Sequence, residues 1–250
     1  MIYVCIPTHN EAETIGLLLW KTRNVFGEFG RDYMLVVHDD ASDDQTAEVL
    51  KRYRGAVPLT VLRSETRIGY GRSVERLLRY VRDEAPYPKR DCAVVIQGDF
   101  TEAPDDMVSL VKILEGGADI VAGTVDEEDV ADRKGVRLAR WGARTFLKRV
   151  VGGAPVSDPF AGFRAYRVIV LKKALRDRGE DDPLIRSDGW AANVELLGGL
   201  APHARRIAEA PLTPRFDLQR RPSRFRPWRT FFGLAKLPGS LWISQEVEAA

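Results

Sequence analysis

The sequence predicts an α/β protein with a mostly parallel central sheet flanked by helices, and three observations carry that prediction. Short apolar, β-branched runs alternate with helix-periodic stretches through the first half of the chain, which implies right-handed βαβ units. At 250 residues, with no Pro/Gly/Ser-rich linker or low-complexity tract, the chain can bury its core as a single domain. Several of the strands also run directly into acidic or glycine-bearing loops, and in open α/β sheets ligands bind at the carboxyl ends of strands.

Composition narrows the class. The balance of 38 Lys+Arg against 36 Asp+Glu leaves a formal net charge of +2, too little for a nucleic-acid coat, and no nucleic-acid partner is expected. Cys5 and Cys92 are the two cysteines, each inside an apolar run. They support neither a disulfide framework nor a Cys-rich zinc site, and a reducing compartment is the default. The start Met1–Pro7 lacks a basic signal-peptide region, and no apolar run reaches the roughly 18 residues of a membrane span. The expectation is a soluble or peripherally bound cytoplasmic protein.

The elements follow in order. Ile2–Ile6 reads as a first strand ended by Pro7, and Asn10 with Glu13 has the spacing of a capping box for a helix from about Glu11 to Phe26. The start of that helix presents free N–H groups beside Thr8-His9-Asn10, which places His9 near a ligand. This turn carries no G-x-G-x-x-G, so a dinucleotide-dependent enzyme loses its usual fingerprint. Met34–Val37 is the second strand, and it ends in His38-Asp39-Asp40-Ala41-Ser42-Asp43-Asp44-Gln45-Thr46, four aspartates within six residues. Crowded carboxylates repel, and the cost is tolerable where some cap a helix and others meet hydrogen bonds or a cation. A helix over Ala47–Tyr53 and a strand over Leu59–Leu62 come next.

Gly69-Tyr70-Gly71 opens a further helix, Cys92–Ile96 is the fourth strand, and it runs into Gln97-Gly98-Asp99. Pro104 suits the first turn of the amphipathic helix that follows, and Ile120–Gly123 is the fifth strand. Beyond it lie an acidic run at Asp126–Asp129 and a basic helical stretch over Arg133–Val151. A loop at Ser157–Tyr166 that enters a strand or short helix, a helix beginning near Ser187–Glu195 and a short strand at Ile207–Ala210 complete the domain. His38 and His203 read as ordinary strand-end and surface residues, and Trp190 as core. Residues 215–229 hold six arginines and one acid among Phe216, Phe225 and Trp228, a composition suited to an anionic interface.

Taken together, these motifs resemble the GT-A fold glycosyltransferases of family 2, in particular the dolichyl- or polyprenyl-phosphate mannose (or glucose) synthases. The resemblance spans about Ile2 to Phe225. It rests on Ile6-Pro7-Thr8-His9-Asn10-Glu11, Asp39–Thr46, Gly69-Tyr70-Gly71, Gln97-Gly98-Asp99 with Pro104, Asp158…Gly162-Phe163-Arg164, and Glu195. It implies a GT-A domain over residues 1–225, with a basic and aromatic tail at 226–250 in peripheral contact with the inner face of the membrane. It also implies a nucleoside-diphosphate-sugar donor, GDP-mannose or UDP-glucose, bound by Pro7, Thr8, Glu11, Asp39, Asp40, Gly69, Gln97, Gly98 and Asp99. Mg²⁺ or Mn²⁺ would sit on Asp99 and Gln97. The catalytic set would be Asp99, Asp158 and Arg164, and the reaction an inverting transfer of a hexose to a lipid-phosphate acceptor.

Two departures bear on mechanism. Where the family has Asp-x-Asp this chain has Gln97-Gly98-Asp99, so a neutral amide replaces one carboxylate and binds a hard cation more weakly. After the fifth strand, Gly123-Thr124-Val125 lacks the family's arginine. The acceptor phosphate would then fall to Arg137, Arg140 and Arg144, with Arg215, Arg220 or Arg221 from the tail. A lipid phosphate is already an anion and needs no strong base, whereas a hydroxyl acceptor would need one, and Asp158 and Asp188 are the candidates. The alternatives are a family 2 enzyme acting on such a hydroxyl, a nucleotidyltransferase, and a catalytically lapsed nucleotide-sugar-binding protein.

Overall fold

The computed structural model describes residues 1–124, 154–179, 181–212 and 237. Its strands are β1 (Ile2–Thr8), β2 (Tyr33–Asp40), β3 (Leu59–Ser64), β4 (Cys92–Val95), β5 (Ile120–Thr124), β6 (Arg164–Arg167) and β7 (Ile207–Pro211). The helices of the described residues are α1 (Ile15–Phe29), α2 (Thr46–Tyr53), α3 (Tyr70–Glu84), α4 (Met107–Glu115), α5 (Val168–Ala174) and α6 (Trp190–Leu200). They flank one seven-stranded sheet of order β3-β2-β1-β4-β6-β5-β7. All pairings are parallel except those of β6, which runs antiparallel to both β4 and β5.

Every residue of β1 is buried because helices cover both faces of the sheet. Side chains alternate strictly: Tyr3, Cys5, Val36, Ala93 and Val95 enter one core with α3, α5 and α6. Ile2, Val4, Leu35, Val37 and Val94 enter the other, with α1, α2 and α4. That double burial makes the strands continuous apolar runs rather than alternating ones. Trp190 packs against the first core, as expected, with its ring 5.5 Å from that of Phe160.

Four expectations need correction. Pro7 does not end β1, which continues to Thr8. The Cys5 carbonyl accepts Ile96 N–H, so residues 5 and 7 face β4, whose ladder with β1 stops at Cys5–Val95, and the missing N–H of Pro7 costs nothing there. The Asn10/Glu13 capping box does not form: α1 begins at Ile15, and Asn10 takes a left-handed conformation (φ 53°) with its amide turned to Asp43. His38 is no ordinary strand-end residue, since it is fully buried inside β2 with Nε2 on Ser64 Oγ at 3.0 Å. Leu237, within the tail expected at the membrane surface, is 4% exposed and packs into the first core.

Candidate functional site

The topology assembles the site before any side chain is considered. β1 lies between β2 and β4, so the carboxyl ends of these three strands deliver Pro7-Thr8, Asp39-Asp40 and Gln97-Gly98-Asp99 to one edge. Because β6 is antiparallel, with Arg164 opposite Val95 and Ala122, the Asp158–Phe163 loop that precedes it reaches the same edge. A parallel β6 would have sent that loop to the opposite side.

The aspartate cluster is absorbed by backbone donors. Asp39 is buried and accepts Ser42 N–H at 3.1 Å, with Arg63 3.4 Å from its other oxygen. Both oxygens of Asp40 are taken, by Ile68 N–H at 2.7 Å and Gly69 N–H at 2.9 Å. Asp40 therefore pins the turn that opens α3. Asp43 accepts the Asn10 side-chain N–H at 2.6 Å, and Asn10 Oδ1 accepts Asp43 N–H at 3.0 Å. Burial opposes ionisation of Asp44, but hydrogen bonds from the Thr46 hydroxyl and the Thr46 and Ala12 backbones outweigh it and hold the carboxyl below its usual range. His9 Nδ1 lies 2.8 Å from the Asp40 carbonyl, which locks the first loop onto the second.

Glu11 is buried, with its N–H on Thr46 Oγ1 at 2.9 Å. The Thr14 hydroxyl stands 3.2 Å from Glu11 Oε2 and 2.8 Å from the Gly98 carbonyl, which ties the β1 loop to the β4 loop. Gly98 sits close to the β1 end: a Cβ there would lie 3.2 Å from Thr8 Oγ1 and 3.3 Å from the Pro7 carbonyl, a tight fit. Asp99 is 8% exposed and accepts the Thr101 N–H at 3.2 Å and hydroxyl at 2.7 Å.

Sequence reasoning missed Glu102. Its carboxylate accepts Gln97 N–H at 2.8 Å, with Gln97 Nε2 3.5 Å from the other oxygen. Burial, with Asp99 adding to it against the Gln97 hydrogen bonds, pushes the Glu102 carboxyl up to about 8. The signal available was a second acidic residue within the same short loop, ahead of Pro104.

Two predicted residues are occupied structurally. Asp188 accepts Gly71 N–H at 3.1 Å, and Glu195 accepts the Arg186 and Ser187 N–H groups at 2.8 Å each. Arg164 is fully buried and donates to the Pro159 and Asn193 carbonyls at 2.7 Å each, so its guanidinium shapes the Asp158 loop from beneath. Asp158, 3% exposed, accepts Phe160 N–H at 3.0 Å within that loop. Arg137, Arg140, Arg144, Arg215, Arg220 and Arg221 lie outside the described residues.

Among the described residues, no group of three or more His, Cys, Asp and Glu side chains is placed to hold a metal unaided. The Asp99 carboxylate and the Gln97 amide oxygen are nevertheless hard oxygen donors of the kind Mg²⁺ and Mn²⁺ take. Such ions commonly complete their shell with phosphates and water.

A mostly parallel sheet, acidic strand ends and a loop returned by an antiparallel strand define a GT-A glycosyltransferase domain. The chain belongs to glycosyl transferase family 2, whose pattern it matches over residues 3–175. It is 28% identical over 219 residues to an undecaprenyl-phosphate mannosyltransferase of Micrococcus luteus, covering 85% of this chain and 82% of that protein. It is 27% identical over 197 residues to an undecaprenyl-phosphate 4-deoxy-4-formamido-L-arabinose transferase of Edwardsiella ictaluri, covering 78% of this chain but only 58% of that longer protein. In structure it is similar to the Mycobacterium tuberculosis glucosyl-3-phosphoglycerate synthase in complex with phosphoglyceric acid. The TM-score is 0.63 at 21% identity, over 98% of this chain and 79% of that one. The same enzyme with Mn²⁺, uridine diphosphate and glucosyl-3-phosphoglycerate gives 0.58 at 21% identity, over 94% and 76%.

Proposed function

We propose that this chain transfers a hexose from a nucleoside-diphosphate sugar to a polyprenyl phosphate, with inversion at the anomeric carbon. The observation that carries the reading is the convergence of the β1, β2 and β4 carboxyl ends and the Asp158 loop on one edge, in a chain whose curated relatives act on undecaprenyl phosphate. The nucleoside lies by Pro7, Thr8, Glu11 and Asp39, on loops that Asp40 and His9 hold in place. Gln97, Gly98 and Asp99 face the diphosphate. Asp99 and Gln97 would hold Mg²⁺ or Mn²⁺, which supplies positive charge against the leaving diphosphate.

The acceptor phosphate, already anionic, attacks from the face opposite the nucleotide, so the protein contributes positioning and charge rather than a strong base. Arg137, Arg140, Arg144 and Arg220 are the cations proposed for that phosphate. GDP-mannose is the first donor to test and UDP-glucose the second, the latter supported by the uridine diphosphate of the structural neighbour. No described helix is long and apolar enough to cross a membrane. A lipid acceptor would be met by peripheral contact of the tail at the cytoplasmic face, whose arginines and aromatics between residues 215 and 229 suit an anionic surface. Incubation with each labelled donor, Mg²⁺ or Mn²⁺ and undecaprenyl or dolichyl phosphate tests the reading. Metal-dependent movement of label into the organic phase supports it, and label confined to the aqueous phase with every pair refutes it.

A further inference from the structure

One buried connection joins two loops of the site. The Tyr70 hydroxyl donates to Asn193 Oδ1 at 2.9 Å, and Asn193 Nδ2 donates to the Phe160 carbonyl at 2.9 Å. The backbone carbonyl of Asn193 accepts Arg164 Nη1 at 2.7 Å, and Arg164 Nη2 donates to the Pro159 carbonyl at 2.7 Å. Asn193 is 5% exposed on α6. The orientation of its amide is dictated by its partners, because a flip would set Oδ1 against the Phe160 carbonyl oxygen. Gly162 lets these groups meet: a Cβ there would stand 2.7 Å from the Tyr70 hydroxyl and 3.1 Å from Asn193 Nδ2. Tyr70 in turn follows Gly69, whose N–H Asp40 holds at 2.9 Å.

We infer that Asn193 is a positioning residue that fastens the Asp158–Phe163 loop to the Ile68–Tyr70 turn that Asp40 holds, so that donor and acceptor subsites keep one spacing. The inference rests on the transfer reading above for which loop faces which substrate. Buried polar groups that are paired are held rigidly, and the Tyr70 hydroxyl and the Asn193 amide are both paired. A displacement of about 1 Å between reacting groups can cost on the order of 100-fold in rate. The connection should therefore act on turnover and leave nucleotide affinity alone.

The test compares Tyr70→Phe, Asn193→Asp, Asn193→Ala and the Tyr70→Phe/Asn193→Ala double variant in the full chain. Asn193→Asp keeps the acceptor for Tyr70 and loses the donor to Phe160, so it isolates the second link. Asn193→Ala and Asn193→Asp should lower kcat about tenfold or more, while the calorimetric Kd for uridine or guanosine diphosphate with Mn²⁺ stays within about twofold. The double variant should be no slower than Asn193→Ala, because both cuts sever one connection. A kcat within about twofold of wild type, or nucleotide affinity lost in step with kcat, would overturn the inference. Should Asn193→Ala fail to fold, Tyr70→Phe and Asn193→Asp carry the same comparison.

A second readout is independent of the acceptor. Trp190 lies against Phe160, so its emission, isolated by difference against Trp190→Phe, reports the loop directly. If wild type transfers no sugar, the acceptor reading fails by itself, and Trp190 emission decides this inference. A shift in Asn193→Asp upholds it, and unchanged emission refutes it.

Discussion

Asp40 and Asp39 are neighbours in sequence with different tasks. Both Asp40 oxygens hold backbone N–H groups of the α3 turn, whereas Asp39 stands at the strand end with Arg63 beside it. The motif was legible in sequence, but this division was not, because it depends on which strand-end residue the α3 loop crosses. Asp99→Asn should reduce transfer at least about 100-fold without lowering the unfolding midpoint, since it removes a charge and no packing. Initial rates and urea titrations on one preparation check it. Gln97→Asp should tighten Mn²⁺ in the presence of uridine or guanosine diphosphate and lower the melting temperature in EDTA, because the new carboxylate is a stronger ligand for a hard cation but gives up the amide's contact with Glu102. Melting curves with and without Mn²⁺ distinguish this from a Gln97 that never meets the metal, for which the Mn²⁺ shift is unchanged.

His38 gives a pH prediction at the same scale. Burial, with Arg76 on α3 beside it and Asp40 and Asp39 opposing, pushes its imidazole down to about 4 from 6.5. The unfolded chain therefore binds more protons than the folded one between those values. Stability from His38 is complete above about pH 6.5 and falls as pH drops towards about 4, by up to about 1.4 kcal/mol per unit. His38→Gln should flatten that slope in urea titrations across the window, and parallel slopes in the two proteins would contradict it.

At the scale of elements, hydrophobic pattern located β1 to β5, β7 and most helices to within a few residues, because both faces of the sheet are covered, and left β6 undecided between strand and short helix. It could not reveal that β6 runs antiparallel, since Arg164-Ala165-Tyr166-Arg167 is short and periodicity carries no direction. It also mistook the Asn10–Glu13 spacing for a cap, where the chain instead uses Glu11–Thr14 as a turn facing the β4 loop. Two glycines separate packing from propensity. At Gly71 a Cβ would meet the Ser187 carbonyl oxygen at 2.3 Å, and that backbone is held by Glu195. Gly71→Ala should therefore destabilise by about 1–3 kcal/mol. Gly27, inside α1 with nothing within 4 Å, should gain about 0.5–1 kcal/mol as Ala. Equilibrium urea unfolding of both variants checks the pair, and equal effects would mean that the Ser187 contact is not formed.

For the whole molecule, one sheet with two cores accounts for why the strand-end edge is so densely cross-braced. β1 contributes side chains to both cores while its end carries Pro7 and Thr8, so a disturbance on either face reaches the site. The fold was legible because its alternating elements are local, and the strand-end motifs were legible because they are contiguous in sequence. The Asn193 connection was not, since it depends on how separate loops meet in space, and the Glu102–Gln97 contact was not, since it depends on how one loop folds back on itself. The central claim is inverting transfer to a polyprenyl phosphate, and the anomeric configuration of the lipid-linked product tests it most directly. Starting from an α-linked nucleoside-diphosphate hexose, nuclear magnetic resonance of the purified product should show a β-linked polyprenyl phosphate sugar formed by wild type and absent with Asp99→Asn. An α-linked product, or free hexose as the sole product, would contradict it.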